Sequence, residues 1–511
     1  MNKNYYITTP IYYVNAAPHI GHAYTNIVAD TIARYKRLSG FDVCFLTGTD
    51  EHGLKIEKAA KAQNIDPQKF TDEVSKIFRK LSVDLAISNT DFIRTTEERH
   101  KKSAVFLWET LLSNGNIYKD KYEGWYAIRD ESFYNESELI DGKAPTGAEV
   151  EWVEEESYFF NLSKWQEPLL AFYAENEDFI YPKSRMNEVI NFVKGGLKDL
   201  SISRCSFSWG IDIPGDDKHI MYVWLDALAN YLSAVGYPDT NSESYQKYWP
   251  CNLHVIGKDI LRFHAVYWPA FLMAANLPLP KNILAHGWWV KSGKKISKSE
   301  GNVIDPQEII AEFGLDQFRY FVLRETSFGK DGDYNKEALI ARVNSELANK
   351  IGNLLQRSIS MLYKNNDQQI PDIDLDIYES EPLLKEAQTS AANFVAHMDK
   401  FELAYAIQVI VSLAEKANVF VDEKAPWALK NTDVIKMQQV LYIVIETCRY
   451  IGIMLQPFIP TSATKLLDTI NVDNTERTFR HLSKDFRMTN RVIDKPEPIF
   501  PRIINEEGNV S

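Results

Sequence analysis

The stretch Pro18-His19-Ile20-Gly21-His22-Ala23-Tyr24-Thr25 stands between a short β-rich run, Tyr5–Thr9, and an amphipathic run that stops at Gly40. Strand, glycine-bearing turn and helix N-terminus form a layout in which unpaired backbone N–H groups and the helix dipole attract an anion. Gly21 is expected to let a phosphate approach the backbone. His19 and His22, three apart, are expected to reach the same phosphates from one side of a helix that runs from Ala23 onward. Two histidines there can offset charge that develops in phosphoryl or nucleotidyl transfer. A short His-x-x-His pair also fits exposed surface residues or metal ligands, so the rest of the chain has to choose.

Moving outward, Ile27, Val28, Ile32, Tyr35 and Leu38 recur at helical spacing and Gly40 is a C′ stop. Val43–Thr47 is a second apolar strand, ending in Thr47-Gly48-Thr49-Asp50-Glu51-His52-Gly53. This is a β-α-β unit, whose ligands bind beyond the carboxyl ends of the strands, where the histidine turn and Asp50 both fall. Asp50 reads either as a helix N-cap or as the anchor of a substrate amine, and its place favours the second. Helical pattern continues to about Asn114. From Gly124 to Phe160 the chain becomes polar and aromatic-rich, broken by Gly142, Pro145 and Gly147, as an inserted β-rich subdomain would be. Helical signal returns from Leu162 to about Leu200, and strand pattern at His219–Leu225. A second β-α-β follows: strand Leu253–Ile256, turn Gly257-Lys258-Asp259, apolar helix Ile260–Asn276 and strand Asn282–His286.

The expected fold class is therefore α/β: a split Rossmann-like parallel sheet with an inserted connective subdomain, followed by an all-α helical bundle. Residues 1–115 and 221–290 are the expected sheet halves, and 116–220 the insertion. Residues 291–345 hold a lysine loop and its continuation, and 346–511 the bundle and tail. In that loop, Lys291–Ser299 (K-S-G-K-K-I-S-K-S), four lysines surround Gly293. A solvated surface loop is the ordinary fate of such a run; a flexible cationic loop closing over a triphosphate is the alternative. Asp305-Pro306 with Glu308 is a helix start. From Lys336 to Leu467 the pattern is helical, and the proline-bearing tail Arg491–Ile504 is expected to pack back in extended form.

The chain's 511 residues exceed what one core accommodates. With 45% apolar and 25% charged residues it has no disorder signature. No apolar run approaches the roughly 18–20 residues of a membrane span, and the N-terminus lacks a signal-peptide layout, so a cytoplasmic protein is expected. Cys44, Cys205, Cys251 and Cys448 are scattered, which argues against a disulfide framework and a cysteine-built zinc site. A net charge of −13 does not mark a general nucleic-acid binder but leaves room for a local basic face.

With H-I-G-H at His19–His22 and K-I-S-K-S at Lys295–Ser299, each after a strand of a split sheet, the chain resembles class I aminoacyl-tRNA synthetases. The finer resemblance is to the methionyl-tRNA synthetase family. It is carried by Thr8–His22 (T-T-P-I-Y-Y-V-N-A-A-P-H-I-G-H), Thr47–Gly53, Tyr222–Leu228 (Y-V-W-L-D-A-L), Gly257–His264 (G-K-D-I-L-R-F-H) and Asp422–Trp427 (D-E-K-A-P-W). It spans Tyr5 to about Pro460. The resemblance implies a methionine–tRNA ligase working through methionyl-adenylate, with ATP and Mg²⁺, on initiator and elongator tRNA(Met). It implies that His19, Gly21 and His22 contact the ATP phosphates. Lys298 would stabilise the reacting α-phosphate, Lys295 would assist as the loop closes, and Ile296 would lie at the nucleotide. Gly257, Lys258 and Asp259 would hold adenosine and ribose. Asp50 would take the methionine ammonium and Arg204 would help place carboxylate and phosphate. The side chain would sit among Ile11, Tyr13, Trp224, Ala227, Leu228, Tyr231, Ile260, Phe263 and His264, recognised by shape, aromatic contact and a Tyr or His donor. Several of these also read as core residues, Phe263, Leu228 and Ala227 above all. Homocysteine is the implied near-cognate competitor.

In the bundle, Asn353 and Arg357, four apart on one helix face, and Trp427 would read the CAU anticodon by hydrogen bonds and stacking. A core tryptophan is the other reading of Trp427. Three departures from the family pattern stand out. Ile296 replaces a common methionine. Ala127, Asp130, Ala144 and Gly147 stand where many relatives carry zinc ligands, so a metal-free knuckle is expected. The chain ends soon after the bundle, so a monomer is expected. Rivals are a synthetase for leucine, isoleucine or valine, a small nucleotidyltransferase, and a non-catalytic tRNA binder. The short insertion, the bundle and the two intact motifs argue against them in turn.

Overall fold

The computed structural model describes residues 3–15, 17–129, 132–134, 136–296 and 303–504. The elements that build its first half are, in chain order, β1 (Lys3–Tyr13), α1 (Ile20–Leu38), β2 (Phe41–Asp50), β3 (Asp91–Arg94) and α2 (Glu98–Ser113), with two further helices, Leu54–Ala62 and Pro67–Asp84, between β2 and β3. The insertion contributes β4 (Ile117–Ala127) and β5 (Glu151–Phe160), an antiparallel pair. Then come β6 (Ile180–Tyr181), α3 (Val223–Ser233), β7 (Leu253–Gly257) and β8 (Ile283–His286). The central sheet has the order β3-β2-β1-β7-β8-β6, parallel throughout. Strand order reverses at β1, which pairs with β2 on one side and β7 on the other. That seam is where a doubly wound sheet opens a crevice for ligands.

The α/β class, the split sheet and the helical bundle agree with expectation; four local readings do not. β1 is longer than Tyr5–Thr9. Its register shifts between Thr8 and Ile11, which accommodates Pro10, a residue with no N–H for the ladder; after the shift Ile11 and Tyr13 still pair with Gly48 and Asp50 of β2. β3 lies inside what reads as continuous helix; four residues are too few to establish a period of two. Ile180–Tyr181, in the stretch assigned to the insertion, returns to the main sheet beside β8. Val223–Leu225 is not strand but the first turn of α3: the strand Asp216–Met221 ends before it, and nearly every α3 side chain is buried. An apolar run buried on all sides carries no period to separate helix from strand.

Beyond the sheet, α4 (Leu315–Arg324) leads to the bundle helices α5 (Asn353–Asn365), α6 (Leu403–Lys424) and α7 (Val434–Leu455). Asp305 caps the Pro306–Phe313 helix as expected, accepting from Gln307 N at 2.8 Å. The tail packs back on the bundle: Asn344 exchanges two 2.9 Å hydrogen bonds with the Ile503 backbone, and Phe500 is buried. Contrary to the sequence reading, one stretch, Leu403–Leu429, is long and apolar enough to cross a membrane. Half of it is buried inside the bundle, the packing of a core helix. Ala127 and Ala144 join Ala148 in a small buried cluster in the insertion, while Asp130 lies outside the described residues.

Sheet and bundle are joined through α1. Asp30, fully buried, accepts from Arg319 of α4 at 2.7 Å, Arg34 at 2.7 Å and Ser88 Oγ at 2.6 Å. Arg319, also fully buried, donates further to the Phe458 and Pro457 carbonyls of the bundle and to Leu85 O. Burial works to raise the Asp30 pKa, but the Arg319 and Arg34 charges outweigh it and hold the carboxyl below its usual range. Its stabilisation is therefore complete above the ordinary carboxylate pKa of about 4 and is lost as pH falls through the lower folded-state value. Asp30→Asn leaves a buried guanidinium without its counter-charge and should cost about 3–5 kcal/mol in calorimetry at neutral pH. The penalty should shrink on acidification, and adding Arg319→Met should recover part of it.

Candidate active site

One cavity of about 410 Å³ opens at the β1–β7 seam. Its first wall is the N-terminus of α1, which begins at Ile20 rather than near Ala23 because His19 is its N-cap. His19 Nδ1 accepts from Gly21 N at 3.0 Å, and His22 Nδ1 accepts from the His19 N–H at 3.0 Å. This is a capping box built from two histidines instead of Ser and Glu. Both Nδ1 atoms are acceptors, so in each neutral ring Nε2 carries the hydrogen. Burial, with the neighbouring His19, holds the His22 pKa well below the usual histidine range. His22 is thus a neutral donor near pH 7 and brings no positive charge. Gly21 also has a reason other than phosphate approach: a Cβ there would lie 2.8 Å from the His19 ring and break the cap.

The second wall is apolar. Trp224 of α3 lines the cavity with Ala227, Leu228, Tyr231, Ile260 and His264, and faces Ile11 and Tyr13 from the end of β1. Phe263 stands behind it, stacked on Trp224 with ring centroids 3.5 Å apart and planes 7° apart. His264 Nδ1 lies 3.0 Å from the Ile260 carbonyl, which can only accept, so Nδ1 carries the hydrogen and Nε2 accepts from the Tyr231 hydroxyl at 2.7 Å. Burial pushes the His264 pKa down to about 4 and the Tyr231 hydroxyl upward, so both stay neutral. The hydrogens of this pair are committed to each other and to the backbone. Neither Tyr231 nor His264 has a hydrogen to spare for a ligand, so this pair offers shape and ring contact rather than a donor.

Asp50, buried at the carboxyl end of β2, lines the cavity between the two walls together with Lys55. Gly257 and Asp259 line its far end from β7, and Ile296 its edge. Three other expected site residues, Lys258, Phe263 and Arg204, stand apart from the lining. Lys258 is held by Asp331 at 2.6 Å and lies over the Trp288 ring. Phe263 is the backing described above. Arg204 is buried in the insertion's base, donating to Ser201 Oγ at 2.8 Å and stacked 4.3 Å from the Tyr222 ring centroid. Lys295 ends a short hairpin strand, Lys294–Lys295, and Lys298 lies outside the described residues. Thr25, Asn230, His286 and Trp288, which the sequence reading passed over, do line the cavity. Thr25 has a local signal, one helical turn after Gly21; Trp288 has its position just after β8. Among the described residues no three His, Cys, Asp or Glu side chains converge as a metal site.

In the bundle, Asn353 is exposed at the start of α5, and Arg357 is paired with Asp422 of α6 at 2.9 Å. Trp427 is 50% exposed on the short Pro426–Leu429 helix, which removes the core reading of it.

The family described as tRNA synthetases class I (M) matches residues 5–150 and 135–359, and the anticodon binding domain of methionyl tRNA ligase matches 371–509. A methionine–tRNA ligase of Rickettsia bellii is 62% identical over 508 residues, covering 98% of this chain and 99% of its own. That of Brucella suis is 49% identical, covering 99% of each. Among solved structures, Mycobacterium tuberculosis methionyl-tRNA synthetase in complex with methionyl-adenylate aligns with a TM-score of 0.94 at 46% identity, over 98% of this chain and 100% of that one. Two-walled cavity, histidine-capped helix and full-length likeness lead to one assignment: the chain belongs to the methionyl-tRNA synthetase family of class I.

Proposed function

We propose that the cavity is where this ligase joins methionine to AMP before passing the methionyl group to the 3′ end of tRNA(Met). The observation that supports this most is the meeting, in one cavity at the strand-order reversal, of an aromatic-walled apolar pocket, a buried carboxylate and a helix N-terminus with two neutral donors. The methionine carboxylate attacks the α-phosphate of ATP, supplied as its Mg²⁺ complex, and the bond to the β-phosphate breaks to release pyrophosphate. The terminal ribose hydroxyl of the tRNA then attacks the activated carbonyl and AMP leaves. No covalent enzyme intermediate is needed; positioning and electrostatics supply the rate.

In this reading Asp50 receives the ammonium, and Ile11, Tyr13, Trp224, Ala227, Leu228, Tyr231, Ile260 and His264 enclose the side chain. His19 and His22 donate Nε2–H bonds to the phosphates, and the charge they lack comes from Lys295 and Lys298. Gly257 and Asp259 face the adenosine and Ile296 its edge. Lys258, Phe263 and Arg204 act by holding Asp331, Trp224 and the Tyr222 end of α3 rather than by contact. Asn353, Arg357 and Trp427 read the anticodon of initiator and elongator tRNA alike, the chain working as a cytoplasmic monomer with its Ala127–Ala144 knuckle metal-free.

Methionine alone among the twenty amino acids should drive ATP–pyrophosphate exchange, and Lys298→Ala should abolish it; exchange with leucine or valine instead would overturn the substrate. Asp50→Asn should raise the methionine KM about 100-fold while the ATP KM stays within about twofold, because only the ammonium contact is lost. Trp427→Ala should leave pyrophosphate exchange at its wild-type rate and cut tRNA charging by about 10–100-fold, the worth of one stacked base; equal losses in both assays would refute the anticodon role.

A further inference from the structure

Glu51 and His52 follow Asp50 directly, and neither lines the cavity. Glu51 is buried in an ion pair with Arg94 and accepts from Thr49 and Thr96. His52 goes elsewhere. Its Nδ1 donates to Asp226 Oδ2 at 2.6 Å, while the other oxygen of that carboxylate accepts from His100 Nε2 at 2.6 Å. The three side chains are 0–3% exposed. They come from the turn after β2, from α2 and from α3, which nothing local in the chain brings together. Burial works against the Asp226 charge, but the two imidazoles outweigh it and hold the carboxyl down at about 2, so it is ionised at neutral pH.

The neighbours of this cluster give it meaning. His52 stands two residues after Asp50, and Asp226 two residues after Trp224 and one before Ala227. One face of the His52 ring region is closed by Trp209, with centroids 5.5 Å apart, and Gly53 N donates to Trp209 O. His100 is anchored on its other side by Ser233 at the end of α3, 3.2 Å away. The carboxylate therefore bridges the strand end that carries the ammonium anchor and the helix that carries the side-chain wall. An α-amino acid presents its ammonium and its side-chain end at a limited separation, so the spacing of these two protein parts sets which amino acid fits.

We infer that Asp226 is a positioning residue for the amino acid: gripped by His52 and His100, it sets the distance between Asp50 and the Trp224–Ala227 wall, and with it methionine affinity and selectivity, with no part in ATP binding. The inference rests on the reading of the cavity as the methionine site. An amide at this position keeps the volume but has one acceptor oxygen in place of two. One imidazole then meets an NH₂ group and has to turn or change tautomer, and either change loosens the grip on that side.

Full-length wild type, Asp226→Asn and His100→Gln are compared in ATP–pyrophosphate exchange, with methionine and with its longer and shorter unbranched analogues. The methionine KM should rise about tenfold or more in both variants, the ATP KM should stay within about twofold, and the preference for methionine over its analogues should narrow. A merely structural role would lower thermal stability without splitting the two KM values. His100→Gln, which leaves α3 intact, serves where Asp226→Asn fails to fold. Unchanged methionine KM in an active wild-type background, or an equal rise for ATP, overturns the inference alone; no methionine-dependent exchange in wild type overturns the reading of the cavity and the inference with it.

Discussion

Two buried charges, Asp30 and Arg319, hold the helix that opens on the cavity, α1, to the bundle. α1 carries the His19–His22 turn at its N-terminus and Asp30 about 16 Å further along, at 1.5 Å per residue. The carboxylate there is tied at once to Arg34 on its own helix, to Ser88 in the next connection and to Arg319, whose remaining N–H groups reach the Pro457 and Phe458 carbonyls of the bundle. Removing two ions from water is costly, and only near-complete hydrogen bonding offsets it, so the arrangement tolerates one relative placement of helix and bundle. The surface that bears Asn353, Arg357 and Trp427 is thereby physically continuous with the helix whose N-terminus faces the cavity.

The electrostatics at the N-terminus of α1 are built from fixed dipoles. The helix N-terminus and two neutral imidazoles supply oriented donors, each imidazole locked by the other's backbone through the reciprocal cap. Burial keeps His22 uncharged. A permanent buried cation beside His22 would oppose folding in the absence of ATP, whereas neutral donors do not. Among the described residues Lys55 brings a positive charge to the lining, and in the sequence four more lysines fall in Lys291–Ser299, a stretch of which Ile296 lines the cavity. In the apolar wall Tyr231 and His264 satisfy one another and present their rings, so this pair leaves no unpaired donor for an empty site to solvate.

The cap at Asp305-Pro306, the helical spacing of Ile27 through Leu38 and the apolar strands Val43–Thr47 and Leu253–Ile256 were legible because each depends on neighbours a few residues away. From these, the split sheet and the placing of His19–His22, Asp50 and Gly257–Asp259 at strand ends followed, since parallel sheets put their ligands there. The apolar wall was legible through resemblance more than through pattern: Trp224 lies in a run, Val223–Leu225, that periodicity misread as strand. Arg204, Phe263 and Lys258 have the right residue types in the right blocks, yet their side chains turn to Ser201, Trp224 and Asp331.

The linear chain was sufficient for most of the elements of the sheet and bundle and for the histidine-bearing turn before α1, because backbone hydrogen bonding, capping and one-face burial act over a single helical turn or strand. Tertiary structure alone decided which buried polar groups meet. His52 and Asp226 are 174 residues apart and His100 and Asp226 are 126 apart. Nothing in the flanking residues of any of them distinguishes a partnered side chain from a solvated one. A buried carboxylate is stable only when its counter-groups arrive with it, and that condition is met in space, after the sheet has closed, rather than along the sequence.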